Sequence, residues 1–341
     1  MRSIRSITVH GLLSIVGVWS ALATAFYSAE AAASDADGKI PAIVPAWVYP
    51  LNPPSSSGTQ TFDHAKPLHV AGSRVSYTEA DLNDLFAAPD WFPSSHSAMP
   101  WVVAHGRAPD VYACGYCHTP RGQGRPENAS LAGLPTPYIV QQLADFSSGA
   151  RRSAWPGPYR PADRMIHAAM FVTAEEVTAA AEYFSQQHLQ SHVRVAEVLR
   201  VPRSRIVGWV YTAEASGGDE LLGERLLEFT QDAARHENRD DNLEYVAYVP
   251  IGSLNRGRSI ASLRKDGPTY ACGSCHGDRL QGVGLVPRIA GRSPTYLLRQ
   301  LLAFKTGARS GATGQPMLAV VSNLGISDMI AVAAYAASLK P

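Results

Sequence analysis

Cysteine is scarce in this chain, and its few cysteines are confined to two short motifs. The 341 residues contain four cysteines, two in YACGYCH (112–118) and two in YACGSCH (270–276). No cysteine is left to form a structural disulfide, so the fold must be stabilised by its core and by whatever the two motifs bind. Charged residues are also few, at 17% against 45% hydrophobic residues. This composition excludes global disorder and provides enough apolar surface for packed domains.

Long apolar runs are absent except at the N-terminus. MRSIR is followed by the apolar run ITVHGLLSIVGVWSALATAF and by the small residues of YSAEAAASDADG, which is the three-part plan of a secretory signal peptide. We expect residues 1–33 to be removed by cleavage near Ala31 or Ala33. An uncleaved membrane anchor is the alternative, because the run approaches spanning length. Both interpretations place the rest of the protein outside the cytoplasm, and we predict a periplasmic location.

A net charge of one sign is missing as well. The chain has a formal charge of +1, and removal of residues 1–33 deletes Arg2, Arg5 and Glu30, which leaves no net charge. A neutral chain gives no indication of nucleic-acid binding. A charged docking surface for another protein would have to be a local patch, which composition does not locate.

The two cysteine motifs share one spacing, and that spacing limits their chemistry. A Cys-x-x-Cys pair is typical of a thioredoxin-like redox couple, of half a zinc site or of c-type haem attachment. Both pairs are followed at once by a histidine, His118 or His276. Only haem attachment explains both histidines, because that imidazole lies under the iron, whereas zinc would have to join the two distant pairs and leave them unused. We therefore predict two covalent haems c, one on each cysteine pair: Cys114 with Cys117, and Cys272 with Cys275.

The chain also contains an internal repeat. At an offset of 158, LAGLPTPYIVQQLADFSSGARR (131–152) matches IAGRSPTYLLRQLLAFKTGARS (289–310). Apolar residues recur there at helical spacing and a glycine follows, which predicts a C-capped helix in each copy. Further on the offset is 152, where 176–186 matches 328–338 as a last, alanine-rich helix. The first copy therefore has six extra residues within RSAWPGPYRPADR, which we predict to be a surface loop.

Methionines supply the candidates for the second axial ligand of each iron. Methionine is the usual partner of histidine in small electron carriers. Met317 lies between the predicted middle and last helices, and the offset of 152 pairs it with Met165. The predicted axial ligands are therefore His118 with Met165, and His276 with Met317.

Other methionines and histidines are expected to have structural roles. Met170 and Met329 fall within or beside the last predicted helices, where methionine is usually core filler. His167 is the rival ligand in the first copy and is otherwise a surface histidine. Three further candidates precede the first motif and are also expected to be structural: His96, Met99 and His105.

The remaining segments divide the chain into five parts. Residues 193–230 and 242–261 are rich in β-branched and aromatic residues, which predicts strands, and a short helix capped by Thr78 is expected in TEADLNDLF. The fold is predicted to be mainly α, with two helical haem domains and a small β-rich insert that packs on them. The predicted parts are a signal peptide (1–33), an N-terminal extension (34–104), a first haem domain (105–190), the insert (191–264) and a second haem domain (265–341).

Together these features resemble a known family. The Cys-x-x-Cys-His motif, the LAG…Y…QL..F..G.R pattern, a methionine and an alanine-rich last helix resemble the class I cytochrome c fold, and their duplication resembles the di-haem cytochrome c4 group. The resemblance covers about 112–188 and 270–341. It implies two class I cytochrome c-like domains, each with an exposed haem edge. It also implies that a backbone carbonyl, at Ala129 and at Pro287, accepts the proximal histidine's N–H. The extension and the insert depart from the c4 group, which joins its halves by a short linker.

The predicted ligation favours electron transfer over catalysis. Two axial ligands leave no open position at the iron, so we expect a carrier that exchanges electrons with redox protein partners, a dehydrogenase or an oxidase. One alternative is a di-haem enzyme, peroxidase-like or a sulfur-compound oxidoreductase, with an open first haem. Another is the haem subunit of a periplasmic dehydrogenase. Arg151 and Arg309 are candidate partners of haem propionates, or else solvated or helix-capping residues.

Overall fold

The computed structural model describes residues 44–53, 66–262 and 271–341. The predicted signal peptide lies outside these residues. Twelve α-helices occupy the described part of the chain. Six precede the strands: α1 (Glu79–Asn83), α2 (Trp101–Ala104), α3 (Cys114–His118), α4 (Thr136–Ser147), α5 (Arg160–Phe171) and α6 (Ala174–Ser185). Six lie among or after the strands: α7 (Ala233–Glu237), α8 (Ser253–Ala261), α9 (Gly273–His276), α10 (Pro294–Lys305), α11 (Gln315–Ser322) and α12 (Ile326–Ser338).

The described strands all lie between the two halves of the repeat, as the sequence predicted for this region. They are β1 (Val193–Glu197), β2 (Arg200–Pro202), β3 (Ser204–Val207), β4 (Val210–Ala213), β5 (Asp219–Leu221), β6 (Leu227–Thr230) and β7 (Tyr245–Val249). Five of them form one mixed sheet in the order β1-β7-β6-β4-β3, and β2 pairs with β5 in a small antiparallel sheet. In the larger sheet β1–β7 and β4–β6 are parallel, whereas β6–β7 and β3–β4 are antiparallel. The described fold thus combines helices with this sheet.

The repeated segments fold into matching helices, α4 and α10. Each ends at a glycine in the left-handed region, Gly149 with φ of 77° and Gly307 with φ of 75°. The N–H of each glycine donates to the carbonyl of the helix phenylalanine three residues earlier, at 3.1 Å in both copies. Glycine reaches this backbone conformation without a Cβ penalty. The C-caps predicted from the sequence are therefore confirmed.

The insert packs on both halves of the repeat, as expected. Arg121, three residues after α3, forms a buried ion pair with Asp241 of the insert, with Nε 2.7 Å from Oδ2. On the other side the buried carboxylate of Glu228 on β6 accepts the Ser293 hydroxyl at 2.6 Å and the Thr295 N–H at 3.2 Å. Glu228 thereby satisfies donors at the N-terminus of α10.

The predicted strand content is wrong at the end of the insert. Residues Ser253–Ala261, expected to be extended, form α8 and pack on α12. Gly257 lies against the backbone carbonyl of Ala331 on α12, closer than any side chain would allow. Packing against a neighbouring helix has overridden the local preference of this segment.

The N-terminal extension is attached to the rest of the protein by buried contacts. Thr78 caps α1 as predicted, because its hydroxyl accepts the Asp81 N–H at 3.2 Å and Asp81 reciprocates. The Trp91 indole N–H donates to the Asn238 carbonyl of the insert at 2.7 Å. The extension and the insert therefore pack together.

The six extra residues of the first copy lie in a loop, as the sequence predicted, and this loop is exposed at Pro156, Gly157 and Pro158 but buried at two other positions. Ala154 and Tyr159 in this segment are buried, and they share a core cluster with Tyr49 of the extension. Tyr49 and Tyr159 pack edge to face, with ring centroids 5.1 Å apart. The surface-loop prediction therefore holds at the prolines, while Tyr159 anchors the end of the segment in the core.

Among the described residues, no single helix is long and apolar enough to cross a membrane. The segments Ala312–Ser322 and Ile326–Ser338 meet the criteria of length and composition only when taken together, across a bend of 118°.

Candidate functional site

Both Cys-x-x-Cys-His motifs form short helices. In the first copy α3 runs from Cys114 to His118. In the second, Cys272 is the N-cap residue of α9, which ends at His276. One helical turn brings the two cysteines of a pair and the following histidine to one end of each copy. The six side chains thus form two similar groups, as the repeat predicts.

The two motif histidines have the same hydrogen bond. His118 Nδ1 lies 2.8 Å from the Ala129 carbonyl, and His276 Nδ1 lies 2.8 Å from the Pro287 carbonyl. A carbonyl can only accept, so Nδ1 carries the proton and Nε2 is left free to bind a metal. Burial lowers the pKa of both imidazoles, which favours the neutral, metal-binding form. The contact expected at Ala129 therefore exists, although the first copy has an alanine where the second copy has Pro287.

The cysteines do not have the properties of a redox couple or a zinc site. Burial, and then the neighbouring thiol Cys117, raise the pKa of the Cys114 thiol to about 12. Burial raises the pKa of Cys272 to about 11, whereas a reactive redox thiol has a lowered pKa. Among the described residues no three His, Cys, Asp or Glu side chains form a metal-binding group. The two pairs therefore do not combine into a zinc site.

One cavity brings together the candidate ligands of the first copy. Cys114, Cys117, His118 and Met165 all line it. Its walls are largely apolar, including residues of α4, α5 and α6 such as Phe184. The cavity thus offers two thiols, an imidazole nitrogen and a thioether within an apolar enclosure.

The rival histidine of the first copy has other contacts. His167 Nε2 lies 3.1 Å from the Asp110 carboxylate, and its ring packs near Tyr112 and Phe171. It is not among the residues that line the cavity. The geometry of the first site therefore favours Met165 over His167.

The other methionines take different positions. Met317 lies half-buried on α11, which packs against α10. Met329 is buried in the core, as expected, but Met170 is 61% exposed on α5, so its interpretation as core filler is wrong. His96 contacts Asp90 and Tyr183, and His105 stacks on Trp101, which agrees with structural roles for both.

The two copies meet at a buried cluster of arginines and polar side chains. Arg151 donates to Gln142 at 2.8 Å and, across the interface, to Tyr296 at 2.8 Å and Gln300 at 2.9 Å. Arg309 repeats this pattern with Gln300 at 3.1 Å, Tyr138 at 3.0 Å and Gln142 at 2.7 Å. Both arginines are buried, so the interpretation of these residues as solvated is wrong. They bind the two halves to each other.

A second group of residues also lines the first cavity, and none of them belongs to a Cys-x-x-Cys-His motif. Tyr49, Tyr159 and Arg299 come from the extension, the extra segment and the second copy, yet all three line the cavity that contains Cys117 and His118. The alignment of the two copies singles out Arg299, because the matching residue of the first copy is Gln141. Its contacts with the first copy depend on tertiary packing, which the alignment does not provide.

The residues present fit a covalently bound haem. Each motif offers two thiols for thioether bonds and an imidazole whose Nε2 is free, and the first cavity adds a thioether and apolar walls. The hydroxyl of Tyr159 and Nη2 of Arg299 are buried without a hydrogen-bond partner in this cavity. Such orphaned donors indicate a polar group on the ligand.

Comparisons with known proteins find relatives that are named as cytochromes or as an electron acceptor. No protein-family model matches the chain. The thiosulfate dehydrogenase electron acceptor of Thiomonas intermedia is 29% identical over 236 residues, which are 68% of this chain and 76% of that protein. Cytochrome c-554(547) of Halothiobacillus neapolitanus is 36% identical over 78 residues, which are 20% of this chain and 86% of that protein. Among solved structures, the thiosulfate dehydrogenase TsdBA of Marichromatium purpuratum is 26% identical, with a TM-score of 0.43. The match covers 68% of this chain and 37% of that one.

Proposed function

This chain belongs to the class I c-type cytochromes, holds two covalent haems c and transfers electrons, and we propose that it accepts those electrons from a dehydrogenase outside the cytoplasm. A bound haem supplies an iron that takes up and releases one electron at a time. The observation that carries the proposal is the pair of matching histidines, each with Nδ1 bonded to a carbonyl at 2.8 Å and Nε2 free.

The proposed haem-binding residues are those of the two motifs and one methionine in each copy. Cys114 and Cys117 attach the first haem, and Cys272 and Cys275 attach the second. His118 and His276 bind the irons through Nε2, because Nδ1 is engaged in both. Met165 and Met317 would supply the second ligand of each iron. The position of Met165 on the wall of the first cavity supports its role.

The proposed domain division follows the repeat and the strands. Residues 105–190 and 265–341 form the two class I cytochrome c-like haem domains. Residues 191–264 form the insert, and 34–104 form the extension. Removal of residues 1–33 places the mature protein in the periplasm. The insert's buried contacts with Arg121 and Ser293 support its role as a scaffold for both haem domains.

The proposed electron donor is a thiosulfate dehydrogenase. The relative with the longest alignment reported above is named for accepting electrons from that enzyme, and three quarters of its length aligns with this chain. The turn after α9 provides a candidate contact for the donor, because Leu285 is 66% exposed there. Val283 of the same turn is 57% exposed, and grouped exposed apolar residues, unlike a single one, mark interaction surfaces.

The test is to mix the haem-loaded protein with a purified thiosulfate dehydrogenase and thiosulfate and to follow reduction of the haem absorbance. We expect reduction only when enzyme and thiosulfate are both present. Leu285→Glu should slow it at least tenfold at low enzyme concentration, about 1.4 kcal/mol of binding. The matched control is Leu221→Glu, since Leu221 is 60% exposed on the insert; it should react as the wild type does.

Two outcomes would contradict the proposal. Reduction by thiosulfate without the dehydrogenase would show that the chain is itself the enzyme. Failure of the wild type to be reduced, although a small chemical reductant reduces both haems, would exclude this donor.

A further inference from the structure

Arg299 is a buried cation without an ion-pair partner. Its side chain lies on α10 and is 4% exposed. Nε donates to the Val48 carbonyl at 2.8 Å and Nη1 to the Pro126 carbonyl at 3.0 Å, whereas Nη2 has no partner. Among the described residues no carboxylate lies within 4.0 Å of it. Because an uncompensated buried charge costs several kcal/mol, this site is incomplete without an anion.

The acidic residues nearest to it do not supply that anion. Glu127 lines the same cavity; its Oε1 is paired with Arg125 Nη1 at 3.1 Å and its Oε2 has no hydrogen-bond partner among the described residues, but neither oxygen lies within 4.0 Å of Arg299. Glu228 is engaged by Ser293 and Thr295, and burial raises the pKa of its carboxyl. Among the described residues, the positive charge of Arg299 therefore has no compensating charge at contact distance.

Tyr159 provides a second donor in the same cavity. It is 3% exposed, its hydroxyl has no hydrogen-bond partner, and burial raises its pKa, so the hydroxyl keeps its proton. The guanidinium carbon of Arg299 lies 5.4 Å from the centroid of the Tyr159 ring and 5.2 Å from that of Tyr49. A guanidinium and a phenol without partners beside each other are typical of a site for a carboxylate.

The haem itself has the required chemistry. Its propionate groups are carboxylates, and the cavity that contains Arg299 and Tyr159 also contains Cys114, Cys117 and His118. A propionate there would accept hydrogen bonds from Arg299 Nη2 and from the Tyr159 hydroxyl, and its negative charge would balance the buried positive charge.

The first copy has no arginine at the position that matches Arg299, so it offers no equivalent cation to the second haem site. Position 141 of the first copy corresponds to Arg299 and is a glutamine, whose side-chain amide donates to Asp145 of its own helix at 2.9 Å. The repeat is therefore asymmetric at this point. At this register only the second copy places a cation against the opposite copy, through the Arg299 contact with the Pro126 carbonyl.

We propose that Arg299 and Tyr159 bind a propionate of the first haem, so that the second copy and the extra segment complete the first haem site. The inference rests on the proposed attachment of that haem at Cys114 and Cys117. Tyr49 and Val48 of the extension orient the arginine, one through its ring and one through its carbonyl. This gives the extension a role that the duplicated domains alone do not explain.

The test is to measure both midpoint potentials of the haem-loaded protein by spectroelectrochemistry. Arg299→Gln should lower the midpoint potential of the first haem, because a nearby cation stabilises the reduced form. Glutamine is the residue that the first copy has at the matching position, 141. We expect a shift of about tenfold in that haem's reduction equilibrium, which is 59 mV for one electron. The second haem should keep its potential, and Arg299→Lys should restore most of the loss. Tyr159→Phe removes one hydroxyl and should produce a smaller fall in the same haem.

The matched control removes the same charge from an exposed strand. Arg194 is exposed on β1, and Arg194→Gln should leave both potentials unchanged. Combining Arg299→Gln with Met165→Ala, which should remove one far-red methionine band, identifies the haem that responds. The inference is overturned if Arg299→Gln moves neither potential, or both equally, or no more than Arg194→Gln does. If the Arg299→Gln protein does not retain its haem, Tyr159→Phe is the deciding variant, and the inference is overturned if it does not lower the potential of the first haem alone. The reduction assay with the dehydrogenase reports on the partner, so the two proposals fail separately.

Discussion

The turns that follow the two motif helices have the same backbone and opposite surroundings. Arg125 bridges to Asn128 in the first copy, and Val283 bridges to Val286 at the matching positions of the second. Arg125 is buried beneath the insert, whereas Val283 is 57% exposed. The duplicated sequence thus reproduces the turn, while the neighbouring segments decide whether solvent or another protein can reach it.

The cover over the first turn consists of specific contacts. Arg125 Nη2 lies 2.7 Å from both the ring Nε2 and the carbonyl of His236 on α7. The guanidinium of Arg239 lies 3.6 Å from the centroid of the Tyr116 ring within the first motif. A site that is locally identical in two copies can therefore differ in exposure and in nearby charge. The insert covers the turn beside the first haem motif and leaves the turn beside the second exposed to partners.

The largest difference should follow from removing one haem at a time. Replacing Cys114 and Cys117 with alanine should leave one covalent haem per chain, and so should replacing Cys272 and Cys275, as measured by mass spectrometry. The first change should lower the midpoint of thermal unfolding more, because both copies, the extension and the extra segment line the first cavity. Equal losses of stability would contradict the asymmetry.

The interface between the copies should respond symmetrically. Arg151→Gln and Arg309→Gln each remove a buried, charged donor, which costs about 2–4 kcal/mol of unfolding free energy. The two costs should agree within about 1 kcal/mol, because the residues share Gln142 and Gln300. The double variant should lose less than the sum, in denaturant titrations monitored by haem absorbance. Additive losses would show that the two arginines do not share partners.

A smaller effect should come from the histidine that covers the first turn. Burial, and then the charge of Arg125, lower the pKa of His236 well below its ordinary value, so its imidazole is neutral in the folded protein near neutral pH. Its stabilising contribution is complete above the unfolded pKa of about 6.5 and is lost as the pH falls below it, at up to about 1.4 kcal/mol per pH unit.

This pH dependence can be assigned by substitution. Because burial also lowers the pKa of His192, His236→Gln should reduce the slope of stability against pH below about 6.5 without abolishing it. The control is His188→Gln at an exposed histidine, which should leave the slope unchanged. An unchanged slope in His236→Gln would show that its imidazole does not stay neutral in the folded protein.

The local parts of each haem site were predictable from the sequence. The motif spacing, the glycine C-caps and the carbonyl contact of each histidine depend on residues within a few turns of chain, and the repeat shows each of them twice. Strands were also predictable between the copies, because Val193–Val249 is rich in β-branched and aromatic residues. The choice of methionine ligands stays a prediction.

The parts that sequence reasoning missed depend on contacts between distant segments. Arg299 bonds to the Val48 carbonyl across 251 positions and to Pro126 across 173. The burial of Tyr159 and the helical state of 253–261 likewise follow from partners elsewhere in the chain. Local sequence predicted a surface loop around Tyr159 and strands at 253–261, and neither the burial of Tyr159 nor the helix at 253–261 can be predicted without the distant partners.

Visible spectra of the oxidised and reduced protein decide whether two closed, methionine-ligated haems carry the electrons. We expect the far-red methionine–iron band of both ferric haems, with one contribution lost in Met165→Ala and the other in Met317→Ala. The spectrum of the reduced protein should not change with carbon monoxide, because neither iron has an open position. A band from only one haem, removed by Met317→Ala alone and accompanied by carbon monoxide binding at the other, would contradict the account and indicate an open first haem.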